Sequence, residues 1–256
     1  MAKRAQQTFR HRHTESFLDS VVFPRTSNEE DVLTAVEVGW RGVSSRMAGH
    51  VHEDFLLKAG ATLPLPWVVK DTSSAGTPTT DFVTDSDGGV YRLKLASTDE
   101  VEVLTLYFAD TKPIDAAKDS YFECKVTYTN ATPAATERVT IGLAGNWADD
   151  ANTIGEHAWF LITGTGQQLF IESDDGTTDD DDNDSGAVWV SGTAIVLGID
   201  YSNLAAIGFY VNGVLVGELS SPLQTGNLQP YIQLQKGDGT TVPQLDIDYV
   251  DVDWMR

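Results

Sequence analysis

A single cysteine, Cys124, stands in 256 residues, which excludes an internal disulfide and any cysteine-rich metal site. It alternates with Phe122, Val126 and Tyr128, the spacing of a strand face turned to a core, so it reads as a small packed residue rather than a nucleophile. One free thiol also fits folding in a reducing cytoplasm. No apolar run approaches the roughly 20 residues that a membrane helix needs. Residues 1–20 are polar and lack the apolar stretch of a secretion signal. There is no Gly-x-Ser-x-Gly elbow and no Walker loop, which removes two common routes to hydrolysis and phosphate chemistry.

Cations are scarce where most of the chain lies. Residues 1–60 hold eight Lys/Arg and eight Asp/Glu; residues 61–256 hold nine against thirty, so the whole net charge of −21 sits there. An acidic body of this kind is soluble and repels nucleic acid and anionic lipid, so neither is expected as a direct partner.

What is present is β-rich. Residues 1–26 show no sustained period, only apolar beads (Phe9, Phe17, Leu18, Val22, Phe23) among Arg10, Arg12 and Arg25; they read as an extended N-terminal arm that docks on a neighbouring subunit. Ser27 and Glu30 fit a capping box before Val32, Val36 and Trp40, although a strand over Val32–Val38 suits the β-branched residues as well. A short helix is expected at Glu53–Lys58, and Pro64 and Pro66 close this region. The expected division is therefore 1–63, arm and small subdomain, and 64–256, the main body.

From Trp67 onward short apolar runs alternate with Gly, Asp, Asn, Thr and Pro clusters. Tyr121–Thr129 alternates cleanly, with Phe122, Cys124, Val126 and Tyr128 on one side. Asn212-Gly213 between Ile207/Phe209/Val211 and Val214/Val216 is the preferred sequence of a two-residue type I′ hairpin. The terminal run changes phase between Leu245/Ile247/Tyr249 and Val250/Val252/Trp254, which a bulge near Tyr249 or burial on both faces would explain. Many strands without helical crossovers cannot make a parallel sheet. The expected fold is all-β, a sandwich of two antiparallel sheets. Asp174–Ser185 carries seven Asp in twelve residues and is expected to be a mobile, solvated loop.

Three segments carry a resemblance. AAIGFYVNGVLVGEL at 205–219, LQPYIQLQ at 228–235 and LDIDYVDVDW at 245–254 resemble the paired and terminal strands of the concanavalin A-like (laminin-G/lectin-like) jelly roll. The arrangement of an arm ahead of such a body is similar to sandwich proteins of tailed-phage virions. That resemblance implies a non-enzymatic structural protein, a capsid decoration protein made in the host cytoplasm and held on the virion through its arm. Its partners would be the major capsid protein and copies of itself. The lectin side of the family implies the alternative, a glycan-binding module for adhesion to a host surface or polysaccharide.

The Glu-x-Asp-x-x-Glu pattern of the fold's glycosidases is absent. Asp246 and Asp248 share a strand face about 7 Å apart, wider than the roughly 5–5.5 Å of a retaining pair. His50-x-His52-Glu53 offers metal ligands on one strand face, without a matched second pair in the sequence. Calcium suits the clustered oxygens of Asp174, Asp175, Asp179 and Asp181, or of the Asp85-Ser86-Asp87-Gly88 turn, better than any other ion; no other cofactor is expected. Trp159 and Trp189 sit in apolar runs and read as core. Trp147, in Gly145-Asn146-Trp147-Ala148-Asp149, has a loop-like context and is the best sugar-stacking candidate. On the virion reading, deleting residues 1–26 should leave a soluble, folded sandwich that no longer joins the particle, measured as its occupancy in purified particles.

Overall fold

In the computed structural model, the described residues are 5–9, 18–23, 49–83, 88–130, 134–163, 167–203, 206–220 and 226–254. Two compact units are distinguished, Met1–Met47 and Ala48–Arg256. In the first, β1 (Ala5–Phe9) pairs antiparallel with β2 (Leu18–Phe23), from Ala5 opposite Phe23 to Phe9 opposite Leu18. Two strands of the segment expected to be an extended arm thus pair with each other. The helix-or-strand expectation over 27–40 lies outside the described residues.

The second unit is the sandwich. Its strands are β3 (Gly49–Glu53), β4 (Val68–Asp71), β5 (Thr79–Phe82), β6 (Tyr91–Lys94), β7 (Glu102–Tyr107), β8 (Ile114–Asp115), β9 (Ser120–Thr129), β10 (Arg138–Ala144), β11 (His157–Thr163), β12 (Gln168–Asp174), β13 (Asp179–Val188), β14 (Ala194–Asp200), β15 (Ile207–Val211), β16 (Val214–Leu219), β17 (Asn227–Lys236) and β18 (Gln244–Trp254). One 3₁₀ turn lies at Ala151–Thr153. Sheet I runs β13-β12-β11-β10-β17-β7-β4, with β8 on β17; sheet II runs β16-β15-β14-β9-β18-β6-β5, with β3 on β18. All of these pairings are antiparallel.

The core lies between the sheets. Phe122, Cys124, Val126, Leu197, Ile199, Phe209, Val250 and Val252 of sheet II face Leu104, Leu106, Ile141, Leu143, Phe160, Ile171, Ile232 and Leu234 of sheet I, all buried. Phe160 meets Phe209 edge-on at 5.3 Å. Each such side chain contributes about 1.5–3 kcal/mol of burial. Cys124 is fully buried and desolvation pushes its thiol well above the ordinary value, so it is inert.

The expected hairpin forms, with Asn212 at φ +51° and Gly213 at φ +77°, the two left-handed residues of a type I′ turn. The phase change in β18 is a bulge at Asp248: the register slips between Ile247 and Tyr249, so Ile247 and Val250 both reach the core and Tyr249 faces out. Two expectations fail. Glu53–Lys58 is not a helix; Glu53 ends β3 and Phe55, at φ +50°, drives its ring into the core against Trp67, Phe82 and Tyr91. Asp174–Ser185 is not a loop; it holds the end of β12, a turn and most of β13. There Asp175 Oδ1 accepts from the backbone N–H groups of Thr177 and Thr178, both at 2.9 Å. The ladder to β12 offsets the charge repulsion, and β13 absorbs the strain in two register shifts, with Asp182 at φ +51° and Gly186 at φ +69°.

Loops that cross between the sheets are pinned by buried charge. The Lys236 ammonium donates to the carbonyls of Ala96 at 2.5 Å, Thr98 at 2.6 Å, Gly239 at 3.1 Å and Thr241 at 3.5 Å, and lies 3.7 Å from the Glu102 carboxylate. Glu102 in turn accepts from Ala96 N–H at 2.6 Å. Removing one partner of a buried pair strands the other charge and costs about 3–5 kcal/mol. Lys236→Met should therefore lose that much stability in urea unfolding. Lys125→Met, which breaks a half-exposed pair with Asp248, should lose about 1 kcal/mol or less.

Candidate functional site

Alternation places a second set of side chains on the outward face of sheet I. One row across the strands is Val68, Tyr107, Tyr231, Gly142, Trp159 and Glu172; the next is Lys70, Thr105, Gln233, Thr140, Leu161 and Phe170. At Gly142 a Cβ would sit 2.4 Å from the Ala158 carbonyl, so glycine keeps this row flat. Tyr107, Trp159, Leu161 and Tyr231 are buried here in a cluster of their own, completed by Ala151 and Ile154. The cover is the β10–β11 connection. Tyr231 donates to the Ala148 carbonyl at 3.1 Å, and Gln233 Nε2 donates to Ala148 O, Thr105 Oγ1 and the Tyr231 hydroxyl at 3.3, 3.1 and 2.8 Å.

Trp147 stands at the border of this cover. Its indole Nε1–H donates to Thr105 Oγ1 at 3.1 Å and its backbone N–H to Asp110 Oδ1 at 2.8 Å. Asp110 is held in turn: Gln229 Oε1 accepts from the N–H groups of Phe108 and Asp110, both at 3.1 Å, and Gln229 Nε2 donates to Asp110 Oδ1 at 3.0 Å and to Gly145 O at 2.7 Å. The indole is half-buried, with the exposed Lys70 ammonium 5.2 Å from its ring centre. Asn146, Asp149 and Asp150 beside it are exposed. Asp150 Oδ1 accepts from Asn152 N–H at 3.2 Å and caps the 3₁₀ turn.

At the opposite side of the face His157 stacks on Trp159 at 3.4 Å and bonds Ile154 O at 2.8 Å. Burial pulls the His157 imidazole down to about 4, so it is neutral. Trp159 Nε1–H donates to Glu172 at 2.6 Å. Burial first, and then the charges of Asp181 and Asp182, lift the Glu172 carboxyl to about 7, against that bond.

Of the residues singled out for calcium, Asp174 ends β12, Asp175 closes the turn, and Asp179 and Asp181 lie on β13. Partial burial lifts Asp179 to about 6, helped by a hydrogen bond with Asp181. Among the described residues, three ligand atoms of His, Cys or carboxylate type lie within 4.8 Å of one another only at His50, Asp251 and Asp253. Asp85, Ser86 and Asp87 lie outside the described residues, as do Arg10, Arg12, Phe17 and Arg25; Phe9 is on β1, and Leu18, Val22 and Phe23 are on β2. Trp159 and Trp189 are buried. Asp246 pairs with Arg92 through two bonds of 2.7 and 2.8 Å, and Asp248 with Lys125 at 2.5 Å, all on the outward face of sheet II. The polar set of Thr105, Gln229, Gln233 and Glu172 was not singled out from the sequence. The alternation of Gln229, Tyr231, Gln233 and Gln235 with Leu228, Ile232 and Leu234 was its signal.

No protein-family model matches the chain, and no curated protein matches it. Solved structures do. The carbohydrate recognition domain of Emp47p aligns with 83% of this chain and 99% of its own at 10% identity and a TM-score of 0.58. A structure from the endo-acting O-glycanases that members of the human gut microbiota express to initiate mucin breakdown aligns with 80% and 99%, at 11% and 0.57. A protein of unknown function from Shewanella oneidensis MR-1 aligns with 90% and 95%, at 10% and 0.56. At these identities the likeness is one of fold: the β-sandwich found in carbohydrate-recognition domains, as the lectin-like resemblance implied, and found in enzymes too.

Two acids with raised pKa values, buried Glu172 and exposed Asp179, set a pH dependence. Glu172 and Asp179 bind protons more tightly folded than unfolded, so their contribution to stability falls as pH rises from about 4 to about 7. His157, lowered from 6.5 to about 4, contributes the opposite slope below 6.5. Above that Glu172 still titrates. The melting temperature should fall from about pH 6.5 to about pH 8, and Glu172→Gln, which still accepts from Trp159, should flatten that interval in differential scanning calorimetry.

Proposed function

We propose that the sandwich is a glycan-binding module that contacts sugar through the border of sheet I around Asn146 and Trp147. The observation that carries this is the half-buried indole of Trp147, its ring held by the Nε1–H bond to Thr105 Oγ1 and its backbone by the N–H bond to Asp110 Oδ1. A flat apolar ring held in one orientation can stack on the apolar face of a pyranose without losing side-chain entropy on binding. Exposed Asn146 and Asp149 offer acceptors and a donor at the ring's edge. The neighbouring carboxylates Asp110 and Asp150 are committed to backbone N–H groups, so they act as struts and the surface acts by binding.

Two further points support the reading. The neighbours' names concern carbohydrate recognition and glycan breakdown; they favour the glycan expectation over the virion-decoration one. The charge of −21 works against uronic or sulfated chains and favours neutral sugars. Lys70 would swing off the indole to admit the ligand, since an exposed cation–π contact is worth only about 0.5–1 kcal/mol.

Titration with neutral oligosaccharides by calorimetry, preceded by an array to select them, is the test. Trp147→Ala should weaken binding by about tenfold or more, since truncating a buried aromatic contact at a binding centre costs about 2 kcal/mol or more, with the melting temperature within a few degrees. Lys70→Ala should leave affinity equal or better. Binding unchanged in Trp147→Ala, or absent for all neutral glycans, would remove this reading.

A further inference from the structure

The first strand of the sandwich and its last build a different site on sheet II. β3 reads Gly-His-Val-His-Glu and pairs with the end of β18 so that His50 lies opposite Asp253, Val51 opposite Val252 and His52 opposite Asp251. Alternation sends Val51 and Val252 to the core and leaves two histidines and two aspartates as adjacent rungs of one outward face. Directly opposed Cβ atoms in such a ladder are about 4.5–5.5 Å apart, within reach of shared ligation. The two imidazoles are parallel, 2° apart in plane and 6.3 Å between centres. His50 Nδ1 lies 2.6 Å from Asp253 Oδ1 and 3.6 Å from Asp251 Oδ1, and His52 Nδ1 lies 3.7 Å from Asp251 Oδ1.

We infer that this quartet is a binding site for a divalent transition cation of the zinc type. Tetrahedral zinc with bonds of about 2.0–2.1 Å sets its ligand atoms about 3.3 Å apart. His50, Asp251 and Asp253 already hold theirs within 4.8 Å, so χ rotations bring three ligands together; His52 Nδ1 lies 3.7 Å from Asp251 Oδ1 with its ring 6.3 Å from that of His50, and it becomes the fourth ligand by turning toward them. Two imidazoles with two carboxylates select zinc, nickel or copper over calcium and magnesium, which want six or more oxygens. The aspartates are mostly covered, at 14% side-chain exposure, and all four groups stand on strands rather than loops, so the shell is preorganised. Glu53 is not part of it, because its Oε1 accepts from Phe55 N–H at 3.0 Å. Without the ion the same groups make plain His–Asp contacts. With it, the first strand of the sandwich is bound to the C-terminal one.

The test uses the full chain stripped with chelator. Calorimetric titration with zinc chloride should give one site per chain and a higher melting temperature at saturation, with calcium and magnesium inert. The cobalt(II) form should show the visible spectrum of a tetrahedral nitrogen–oxygen shell. His50→Ala/His52→Ala should melt like the unliganded parent and lose the zinc response; Asp253→Asn should weaken binding by about tenfold or more. Zinc binding that survives in the double histidine variant, as it would if His11 and His13 were the ligands, overturns the site. So does an equal response to calcium, or none to zinc.

Discussion

The ammonium of Lys236 is the constraint on which the sandwich depends. It stands at the end of β17 in sheet I and binds carbonyls of two connections that carry the chain between layers, Ala96 and Thr98 after β6 and Gly239 and Thr241 before β18. A third crossover is drawn in by Glu137, which leads into β10 and accepts from the Tyr128 hydroxyl at 2.9 Å, from Asn130 and from Thr241 Oγ1 at 2.7 Å. Apolar burial holds two sheets together but is indifferent to their relative slide. Directional bonds from a buried charge are not. One cation and one anion therefore fix where three connections meet, and with them the offset between the layers.

That offset frees the outward faces for different work. Sheet I carries a second aromatic cluster sealed by the β10–β11 connection, and the sealing loop holds Trp147. Sheet II carries a polar face: the Arg92–Asp246 and Lys125–Asp248 pairs, and Glu123 accepting from Tyr121 and Tyr249 at 3.0 and 2.7 Å. The bulge at Asp248 turns Tyr249 outward, next to His52 at 6.1 Å between rings. Each candidate surface is thus a by-product of how a strand or loop closes the core beneath it.

Strands with one wet face were legible in the sequence, because hydrophobic alternation reports burial directly: β9 reads it without error, and the Asn212-Gly213 turn and the phase change in β18 appear where expected. The failures share a cause. Charge density argued for a loop at Asp174–Ser185, yet β12 supplied β13 with a ladder that charge counting does not see. The Glu53–Lys58 segment lost its helix to the burial of one ring, Phe55. For the site, Trp147 stood out by its loop context. Its supports, Thr105, Asp110 and Gln229, come from strands and turns far apart in the chain, and only the pairing of β7 with β17 unites them. His50 and His52 lacked a second pair for the same reason, since His50 and Asp253 are 203 residues apart in the chain until β3 meets β18.

The acidic outer strand of sheet I has a consequence for how copies of this protein meet. An open sheet margin is a template on which another chain can add itself. Here the margin presents Asp179, Asp181, Asp182 and Asp184 exposed, and two bulges break the spacing of its free backbone groups. A second molecule approaching edge-on meets both like charge and a mismatched ladder. At this margin the sheet terminates itself: β13 is a poor template for a strand from another copy.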